Sequence, residues 1–451
     1  MAPGHAAERG VGRPPGGPFA GRRIAVVGLG KAGLPAARRL REWGAAVTAW
    51  DDDAARRAEA EAAGLRVADP ALAWAFDALL LSPGIPHRLP APHPAAAAAL
   101  AAGAPVLSEI EFLFRAVRAA GSRARFAGIT GTNGKSTTTA LLAHLLRGAG
   151  QQAVEGGNLG PAALDMPILP DGGTYVLEMS SYALERLDAC TFDVAAMLNL
   201  SPDHLDRHGD MAGYLRAKAR ILRGAGVAVL GQDDGWTRSL RPEGRVVPLG
   251  PGGVWWEGAL LRDAAGPLAD LSRCPTLPGA HNAQNAAAAA AMALALGVGR
   301  DALAPLLETY PGLPHRQERV AERGGVLWVN DSKATNADSA EKALASYPRV
   351  VWIAGGTGKE GGIAPLAPLF GRVAHALLVG RDGPAFAATL AAHGVAHEVA
   401  GTLENAVRRA RALAAPGDVV LLSPAAASWD QFTGFDARGD LFRRLAQEED
   451  A

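Results

Sequence analysis

The stretch FAGITGTNGKSTTTALLAHLL, residues 126–146, has the composition of a phosphate site. An apolar run enters a glycine-rich bend, reaches Lys135 and Ser136, and continues as an amphipathic helix. Loop N–H groups and the helix amino end attract phosphate, the lysine adds positive charge, and the serine hydroxyl suits Mg²⁺. The pattern departs from G-x-x-x-x-G-K-[ST] because position 129 is Ile, yet the same physics applies. We expect phosphate contacts from Gly131, Thr132, Asn133, Gly134, Lys135, Ser136 and Thr137.

A second glycine pattern stands near the start of the chain, in RRIAVVGLGKAGLPAARRL. Gly28, Gly30 and Gly33 follow a buried-strand pattern, and Asp51 comes about 20 residues later, as in dinucleotide-binding βα units. The pattern is typical of a diphosphate near a helix amino end, so NAD, FAD or a nucleotide sugar would each fit. A tight turn between strand and helix that binds nothing is the alternative.

Candidate metal ligands follow two strands of the phosphate-loop region. Glu178 ends one strand and His204 lies in a loop after another, and both side chains can bind Mg²⁺ or Mn²⁺ beside a nucleotide. Asp203 and Asp206 are alternatives that the spacing leaves open. Lys218, in YLRAKARIL, reads as a solvated helix lysine unless it is desolvated, when it could become a nucleophile or a modified ligand.

Polar residues also cluster in NDSKATN, GGTGKEGG and SPAAASWDQFTGF, at the ends of apolar strands in the last third of the chain. Lys333, Thr335, Lys359 and Ser428 could bind an anionic substrate there. Ordinary loop solvation is an equally good reading for any one of them.

The elements that must position these residues alternate between strand and helix, which predicts parallel α/β sheets. We expect a disordered Pro/Gly/Ala-rich tail over residues 1–20, followed by three domains. The predicted domains are a Rossmann-like one over 21–114, a central P-loop ATPase-like one over 115–312 and a second Rossmann-like one over 313–451. Within the central domain, GRVVPLGPGGVWWEGALL predicts short strands of a small side sheet.

Composition excludes several classes of partner. Forty-five basic residues balance forty-five acidic ones, so no global charge draws the chain to nucleic acid or to an anionic membrane. No segment has the ~20 apolar residues of a membrane span. Two cysteines, Cys190 and Cys274, favour a reducing compartment. We therefore expect a cytoplasmic monomer that acts on small molecules.

Eight motifs together resemble the Mur ligases: GITGTNGKSTT, LEMSSYAL, NLSPDHLDRH, AKARI, GAHNAQN, GLPHR, NDSKATN and LLSPAAASWDQF. The resemblance runs from about residue 22 through nearly the whole chain, with three domains in order. The central motifs are general to the Mur and folylpolyglutamate ligases. The first glycine loop, NDSKATN and SPAAASWDQF are similar to the branch that adds D-glutamate.

The resemblance implies an ATP-dependent, ADP-forming ligase of peptidoglycan precursor synthesis. ATP would phosphorylate the carboxylate of UDP-N-acetylmuramoyl-L-alanine, and the amine of D-glutamate would attack the acyl phosphate to give an amide. Two Mg²⁺ ions and cationic side chains would offset the repulsion between the anions. The implied catalytic residues are Lys135, His204 and Lys218, and the implied metal ligands are Ser136, Glu178, His204 and a carbamylated Lys218.

The resemblance also implies binding roles for residues in each domain. ATP would contact the phosphate loop with Asn285, Arg316 and Asp331. The UDP-substrate would contact Gly28, Gly30, Gly33, Asp51, Ser82 and Asn158. The incoming glutamate would contact Lys333, Thr335, Lys359, Ser428 and Phe435.

Alternative functions stay open at the level of the sequence. A ligase variant that adds L-glutamate fits the same motifs. A folylpolyglutamate-type ligase would not need the first domain. A nicotinamide-dependent dehydrogenase would use Gly28 and Asp51 but leaves Lys135 and Glu178 without a role. A nucleotide-hydrolysing switch leaves the first and third domains without a role.

Overall fold

The computed structural model describes residues 17–359 and 361–448 as a mixed α/β fold built on parallel sheets. The chain divides into two compact units. The first comprises the chain up to Ala269 together with Gln284–Leu307, and the second comprises Asp270–Ala283 and the chain from Glu308 onward. Within the described ranges, no helix has both the length and the apolar character needed to cross a bilayer.

A five-stranded parallel sheet opens the first unit, with strand order β3-β2-β1-β4-β5. This is the order of a doubly wound sheet, in which loops at the carboxyl ends of the central strands face a crevice. The strands are β1 (Arg23–Val27), β2 (Ala46–Trp50), β3 (Arg66–Val67), β4 (Ala78–Leu81) and β5 (Val106–Leu107). The helices are α1 (Gly33–Glu42), α2 (Ala54–Ala62), α3 (Pro94–Ala101) and α4 (Glu109–Ala119).

The predicted disordered tail over 1–20 needs correction at its end, while residues 1–16 lie outside the described residues. Residues 17–20 form a turn in which Phe19 is only 8% exposed. Its ring lies 6.1 Å from that of Trp43 and 5.6 Å from that of Phe112. The apolar ring is buried in the core of the first sheet, so the folded region includes these four residues.

A six-stranded parallel sheet follows, with order β11-β10-β9-β6-β8-β7. Its strands are β6 (Arg125–Thr130), β7 (Ala153–Gly157), β8 (Thr174–Glu178), β9 (Val194–Met197), β10 (Val227–Leu230) and β11 (Arg245–Pro248). Its helices are α5 (Lys135–Gly148), α6 (Ser181–Leu184), α7 (Leu205–His208), α8 (Met211–Ala219) and α9 (Gly235–Arg238), with 3-10 turns at Ala163–Asp165 and Arg220–Leu222.

The predicted side sheet is present, but it begins later than the predicted segment and extends beyond its end. β12 (Val254–Glu257), β13 (Leu260–Asp263) and β14 (Gly266–Asp270) form a three-stranded sheet. The GRVVP segment instead forms β11, which pairs in parallel with β10 as the edge of the six-stranded sheet. A 3-10 turn at Leu271–Arg273 follows β14, then α10 (Ala280–Ala295), which starts after Pro278-Gly279 as predicted, a 3-10 turn at Arg300–Ala302 and α11 (Leu303–Glu308).

Over residues 308–359 and 361–448, the second unit contains the four predicted strands and four more. A six-stranded sheet has order β15-β16-β21-β17-β19-β20, parallel except for the β15–β16 pair, and β18 pairs with β22. The strands are β15 (Glu318–Arg323), β16 (Val326–Asn330), β17 (Val350–Gly355), β18 (Thr357–Gly358), β19 (Val373–Val379), β20 (His397–Gly401), β21 (Val419–Leu422) and β22 (Ala426–Ala427). The helices are α12 (Ala337–Ser346), α13 (Gly383–Ala392), α14 (Leu403–Leu413) and α15 (Phe435–Gln447), with a 3-10 helix at Ala364–Arg372.

Candidate active site

The predicted phosphate loop lies between β6 and α5, where its backbone is held in a conformation that needs glycine. Gly134 has a φ of 85°, in the left-handed region that side chains disfavour. A Cβ atom there would also overlap Oδ1 of Asn285. The Thr132 N–H donates to the Asn199 carbonyl at 2.9 Å, and the Asn133 N–H donates to Asn199 Oδ1 at 2.9 Å. These contacts shape a loop at the amino end of α5 that can accept phosphate.

Two lysines converge on this loop. Lys135 Nζ donates to the carbonyls of Gly131 at 3.1 Å and Thr132 at 2.8 Å. Lys218 Nζ donates to the same Gly131 carbonyl at 2.7 Å, and its side chain is almost fully buried. Burial, followed by the nearby charge of Lys135, lowers the pKa of Lys218 well below its ordinary value. The interpretation of Lys218 as a solvated helix lysine is therefore wrong, and its burial disfavours the charged form.

Two candidate metal ligands with oxygen atoms, Ser136 and Glu178, lie beside the loop. Ser136 Oγ donates to Glu178 Oε2 at 2.6 Å, and Asn158 Nδ2 donates to Glu178 Oε1 at 3.0 Å. Glu178 ends β8, which pairs directly with β6, so adjacent strand ends bring the serine and the carboxylate together. Asn158, predicted to contact the UDP-substrate, thus reaches the candidate metal site as well.

His204 occupies the edge of this region. It has a φ of 53° at the start of α7, its Nε2 lies 3.4 Å from Asp203 Oδ2, and its ring lies 4.9 Å from that of Tyr182. Its side chain is 44% exposed. Burial lowers its pKa against the opposing charges of Asp203 and Asp206, with Lys218 and Lys135 adding to the lowering, and this favours the neutral ring, the form of histidine that binds metals.

The donor set fits Mg²⁺ with a nucleotide. Ser136 and Glu178 supply hard oxygen atoms, which this ion prefers, and a nucleotide phosphate would add more. Among the described residues, no group of three or more His, Cys, Asp or Glu side chains forms a metal site by itself. A site here would therefore depend on the serine, on the nucleotide, or on a modified Lys218.

Asn285 is also placed at the loop. It belongs to the part of α10 that packs in the first unit, and Thr138 Oγ1 donates to its Oδ1 at 3.3 Å. The position beside Gly134 is consistent with the predicted contact to ATP.

The first-sheet residues come together around the Gly28 turn. Ser82 Oγ donates to the Gly28 carbonyl at 2.8 Å, and Asp51 Oδ2 accepts from the Leu29 N–H at 2.6 Å. A Cβ on Gly33 would overlap the Gly28 carbonyl oxygen, so the glycine permits the close packing of α1 on this turn. The structure thus brings Gly28, Gly33, Asp51 and Ser82 together at one turn.

A cavity of about 200 Å³ lies between the five-stranded and the six-stranded sheets of the first unit. Its walls come from the Gly28 turn, the turn after β4, the start of α4 and the ends of β7 and β8. They include Lys31, Pro83, Glu109, Asn158, Glu178 and Ser180. The cavity is therefore continuous from the first glycine turn to the candidate metal ligand.

In the second unit, Asp331 follows β16 and is only 7% exposed. Its Oδ1 accepts from the Gln317 N–H at 3.2 Å and its Oδ2 from Ser423 Oγ at 2.8 Å. Burial raises its pKa to about 7, against the opposing hydrogen bonds and the nearby charge of Arg316. Asp331 and Arg316, both predicted to contact ATP, therefore lie in one neighbourhood.

The predicted glutamate-binding residues lie on loops of the same unit. Lys333 Nζ lies 3.8 Å from the centre of the Phe435 ring, a cation–π contact. The Thr335 N–H donates to the Lys333 carbonyl at 2.8 Å. Ser428 is buried directly after β22, and the exposed Lys359 follows β18, the strand that pairs with β22. Lys333 and Phe435 are thus in contact, and Lys359 and Ser428 follow two strands that pair with each other.

Sequence reasoning missed three buried charged residues near these groups. Glu109 lines the cavity, accepts from the Ala163 N–H at 3.2 Å, and has a pKa raised by burial to about 7. Arg438 donates to Ser332 Oγ at 2.9 Å and to the Ala426 carbonyl at 3.1 Å, bracing both loops of the glutamate region. Arg186 binds the turn after β4. Only an acidic residue at a helix start hinted at Glu109, and helix capping accounts for that equally well.

Comparison with known proteins defines the class. The family model described as Mur ligase middle domain matches residues 129–248, and the one described as Mur ligase, glutamate ligase domain matches residues 315–426. The chain belongs to the Mur ligase family.

Particular relatives span nearly the whole chain. It is 51% identical to UDP-N-acetylmuramoylalanine--D-glutamate ligase of Paramagnetospirillum magneticum, covering 95% of this chain and 97% of that protein. Proteins of the same name from Phenylobacterium zucineum and Rhodospirillum rubrum are 47% and 46% identical, each over 95% of this chain and over 97% and 95% of their own. The family resemblance read from the motifs is confirmed.

Solved structures share the fold. UDP-N-acetylmuramate-alanine ligase from Thermotoga maritima has a TM-score of 0.61 at 18% identity, covering 94% of this chain and 99% of its own. A pseudomurein peptide ligase type C from Methanothermus fervidus has a TM-score of 0.56 at 19% identity, covering 94% of this chain and 100% of its own. The α/β architecture is thus that of the Mur ligases.

Proposed function

We propose that this chain joins D-glutamate to UDP-N-acetylmuramoyl-L-alanine at the expense of ATP, as a ligase of peptidoglycan precursor synthesis. The observation that carries the proposal is the convergence of Ser136, Glu178 and Lys218 on the glycine loop between β6 and α5. The names of its relatives, which span the same length at 45–51% identity, supply the substrates.

The proposed reaction has two steps. A carboxylate oxygen of UDP-N-acetylmuramoyl-L-alanine attacks the γ-phosphorus of ATP, the bond to the bridging oxygen breaks, and ADP leaves. The amine of D-glutamate then attacks the acyl phosphate, loses a proton, and expels inorganic phosphate to leave an amide. Both steps bring anions together, so the first requires positive charge around the phosphoryl group.

Residues of the first unit would provide that charge. Lys135 lies on the loop at the amino end of α5, where its ammonium group can move from the loop carbonyls to the transferred phosphoryl group. Ser136 and Glu178 would hold Mg²⁺, with His204 and a carbamate on Lys218 completing the sites for two ions. When bound, the metal ions offset charge on the phosphates and on the carboxylate. The neutral amine favoured at Lys218 is the form that adds carbon dioxide.

We propose binding roles for three domains with the predicted boundaries. Residues 21–114 and 313–451 would each form a Rossmann-like domain, and residues 115–312 would form a P-loop ATPase-like domain. Gly28, Asp51 and Ser82 would contact the UDP-substrate, whose lactyl-alanine arm would follow the cavity toward Asn158 and Glu178. Asn285, Arg316 and Asp331 would contact ATP, and the residues around Lys333 and Phe435 the incoming glutamate. We also propose a cytoplasmic monomer.

An isotope experiment tests the acyl-phosphate route. UDP-N-acetylmuramoyl-L-alanine labelled with heavy oxygen in its carboxylate is incubated with the chain, ATP, Mg²⁺ and D-glutamate, and the released phosphate is analysed by mass. One labelled oxygen should appear in each phosphate, because the carboxylate oxygen becomes the bridge to phosphorus. Amide product with unlabelled phosphate would refute this route.

A further inference from the structure

We infer that Arg186 is a positioning residue for the nucleotide-sugar substrate, because it holds the turn after β4 against the segment that follows α6. The inference rests on the proposed function for the identity of the substrate. Arg186 is 2% exposed and belongs to none of the motifs that carry the family resemblance.

The guanidinium of Arg186 binds carbonyl oxygens of one turn. Nη1 donates to Leu81 at 2.5 Å and to Ser82 at 3.1 Å, and Nη2 donates to Pro83 at 2.8 Å and to Ile85 at 3.1 Å. Four carbonyl dipoles that point at one place repel each other unless a cation lies between them. The turn therefore depends on Arg186 for its conformation.

That turn forms a wall of the proposed substrate site. Ser82 Oγ donates to the Gly28 carbonyl at 2.8 Å, so the position of this turn fixes the first glycine loop. Pro83 lines the cavity directly. If the carbonyl groups that accept from Arg186 shifted, both Pro83 and the first glycine loop would therefore move relative to the substrate.

The backbone of Arg186 belongs to a different segment of the first unit from the turn that its guanidinium binds. It follows α6, which begins soon after Glu178 and Ser180, two residues of the cavity wall. Its own carbonyl accepts from the Ser108 N–H at 3.2 Å, next to Glu109 on a third wall. The preceding Glu185 accepts from Arg207 Nη2 at 2.6 Å, which fixes the backbone at this point. One residue thus joins three segments that line the cavity.

The test compares Arg186→Met, which keeps most of the side-chain volume but removes every donor, with Arg186→Lys, which keeps the charge. Arg125→Met is the matched control, because Arg125 also donates to backbone carbonyls, those of Leu296 at 2.9 Å and Gly172 at 3.2 Å. Arg125 differs from Arg186 in its position, since it lies at the opposite end of β6 from the phosphate loop. KM for each substrate, kcat and hydrogen exchange of the turn are measured on all three variants and on the wild-type chain.

Arg186→Met should raise KM for UDP-N-acetylmuramoyl-L-alanine by about tenfold or more, with the KM values for ATP and glutamate changed by less than about twofold. Arg186→Lys should lie between it and the wild-type chain. The amides of Ser82, Gly84 and Ile85 should exchange faster in Arg186→Met and at the wild-type rate in Arg125→Met.

Equal rises in all three KM values, or unchanged KM and unchanged exchange in Arg186→Met, would overturn the inference. Should Arg186→Met fail to fold, Arg186→Lys carries the same comparison. A wild-type chain that makes no amide product would count against the proposed function instead, and the exchange of the turn would still decide whether Arg186 holds it.

Discussion

Asp331 provides the prediction whose magnitude follows most directly from the structure. Its carboxyl is buried after β16, and burial raises its pKa from 3.8 to about 7. The folded chain therefore holds this proton more tightly than the unfolded chain does. The stabilisation is complete below about pH 4 and is lost as the pH rises through about 7.

The size of the effect follows from the two pKa values. They differ by about 3, and one pKa unit corresponds to about 1.36 kcal/mol, so the full effect is about 4 kcal/mol. Between pH 5 and pH 8 the linkage relation gives a loss of roughly 2 to 3 kcal/mol in the free energy of unfolding. Asp331→Asn removes the titration while keeping a side chain of the same shape, with an acceptor for the Gln317 N–H.

The assay is hydrogen exchange of the amides in β16, β17 and β21, measured on the full chain at pH 5 and pH 8 and corrected for intrinsic rates. The difference between wild type and Asp331→Asn cancels other titrating groups, including Glu109. From pH 5 to pH 8 the free energy of unfolding of the variant should gain roughly 2 to 3 kcal/mol relative to that of the wild type. A difference constant to within about 0.5 kcal/mol would refute the assignment of a buried, protonated carboxyl.

Three further predictions concern the substrates. Lys218→Ala should abolish ligation and be partly rescued by short-chain carboxylates, which can replace a carbamate; full activity in the plain variant would exclude that role. Gly134→Ala should lower kcat/KM for ATP at least about tenfold, because a Cβ there combines left-handed backbone strain with an overlap with Asn285 Oδ1. Gly150→Ala is the control, since Gly150 has a φ of 78° but open space around it. This control should leave kcat/KM for ATP within about twofold of the wild-type value. Lys333→Met should raise KM for glutamate while leaving KM for ATP unchanged, and the reverse pattern would move Lys333 to the nucleotide.

Local sequence patterns predicted the parts of the site that lie within one βα unit. The Gly131–Ser136 loop, the Gly28 turn and the start of α10 after Gly279 each depend on residues that are neighbours in the chain. Glycine at positive φ and a lysine at a helix start leave few alternative readings. Glu178, the candidate metal ligand at the end of β8, could be predicted for a similar reason, because parallel strands end at one edge of a sheet.

Contacts between distant segments could not be predicted in this way. Arg186 binds Leu81 across 105 residues, and in the sequence LERLDA it resembles any surface arginine. Lys218 likewise reads as a solvated helix residue until the fold buries it beside Gly131. The GRVVP segment has the pattern of any short strand, and only the free edge of β10 decided which sheet it joined.

The most direct test of the account is the ligation reaction itself. The purified chain is mixed with ATP, Mg²⁺ and UDP-N-acetylmuramoyl-L-alanine, with D-glutamate or L-glutamate in parallel, and phosphate release and product mass are recorded. The account predicts ADP, phosphate and one amide product with D-glutamate only. Product with L-glutamate alone, or no product with either, would contradict it.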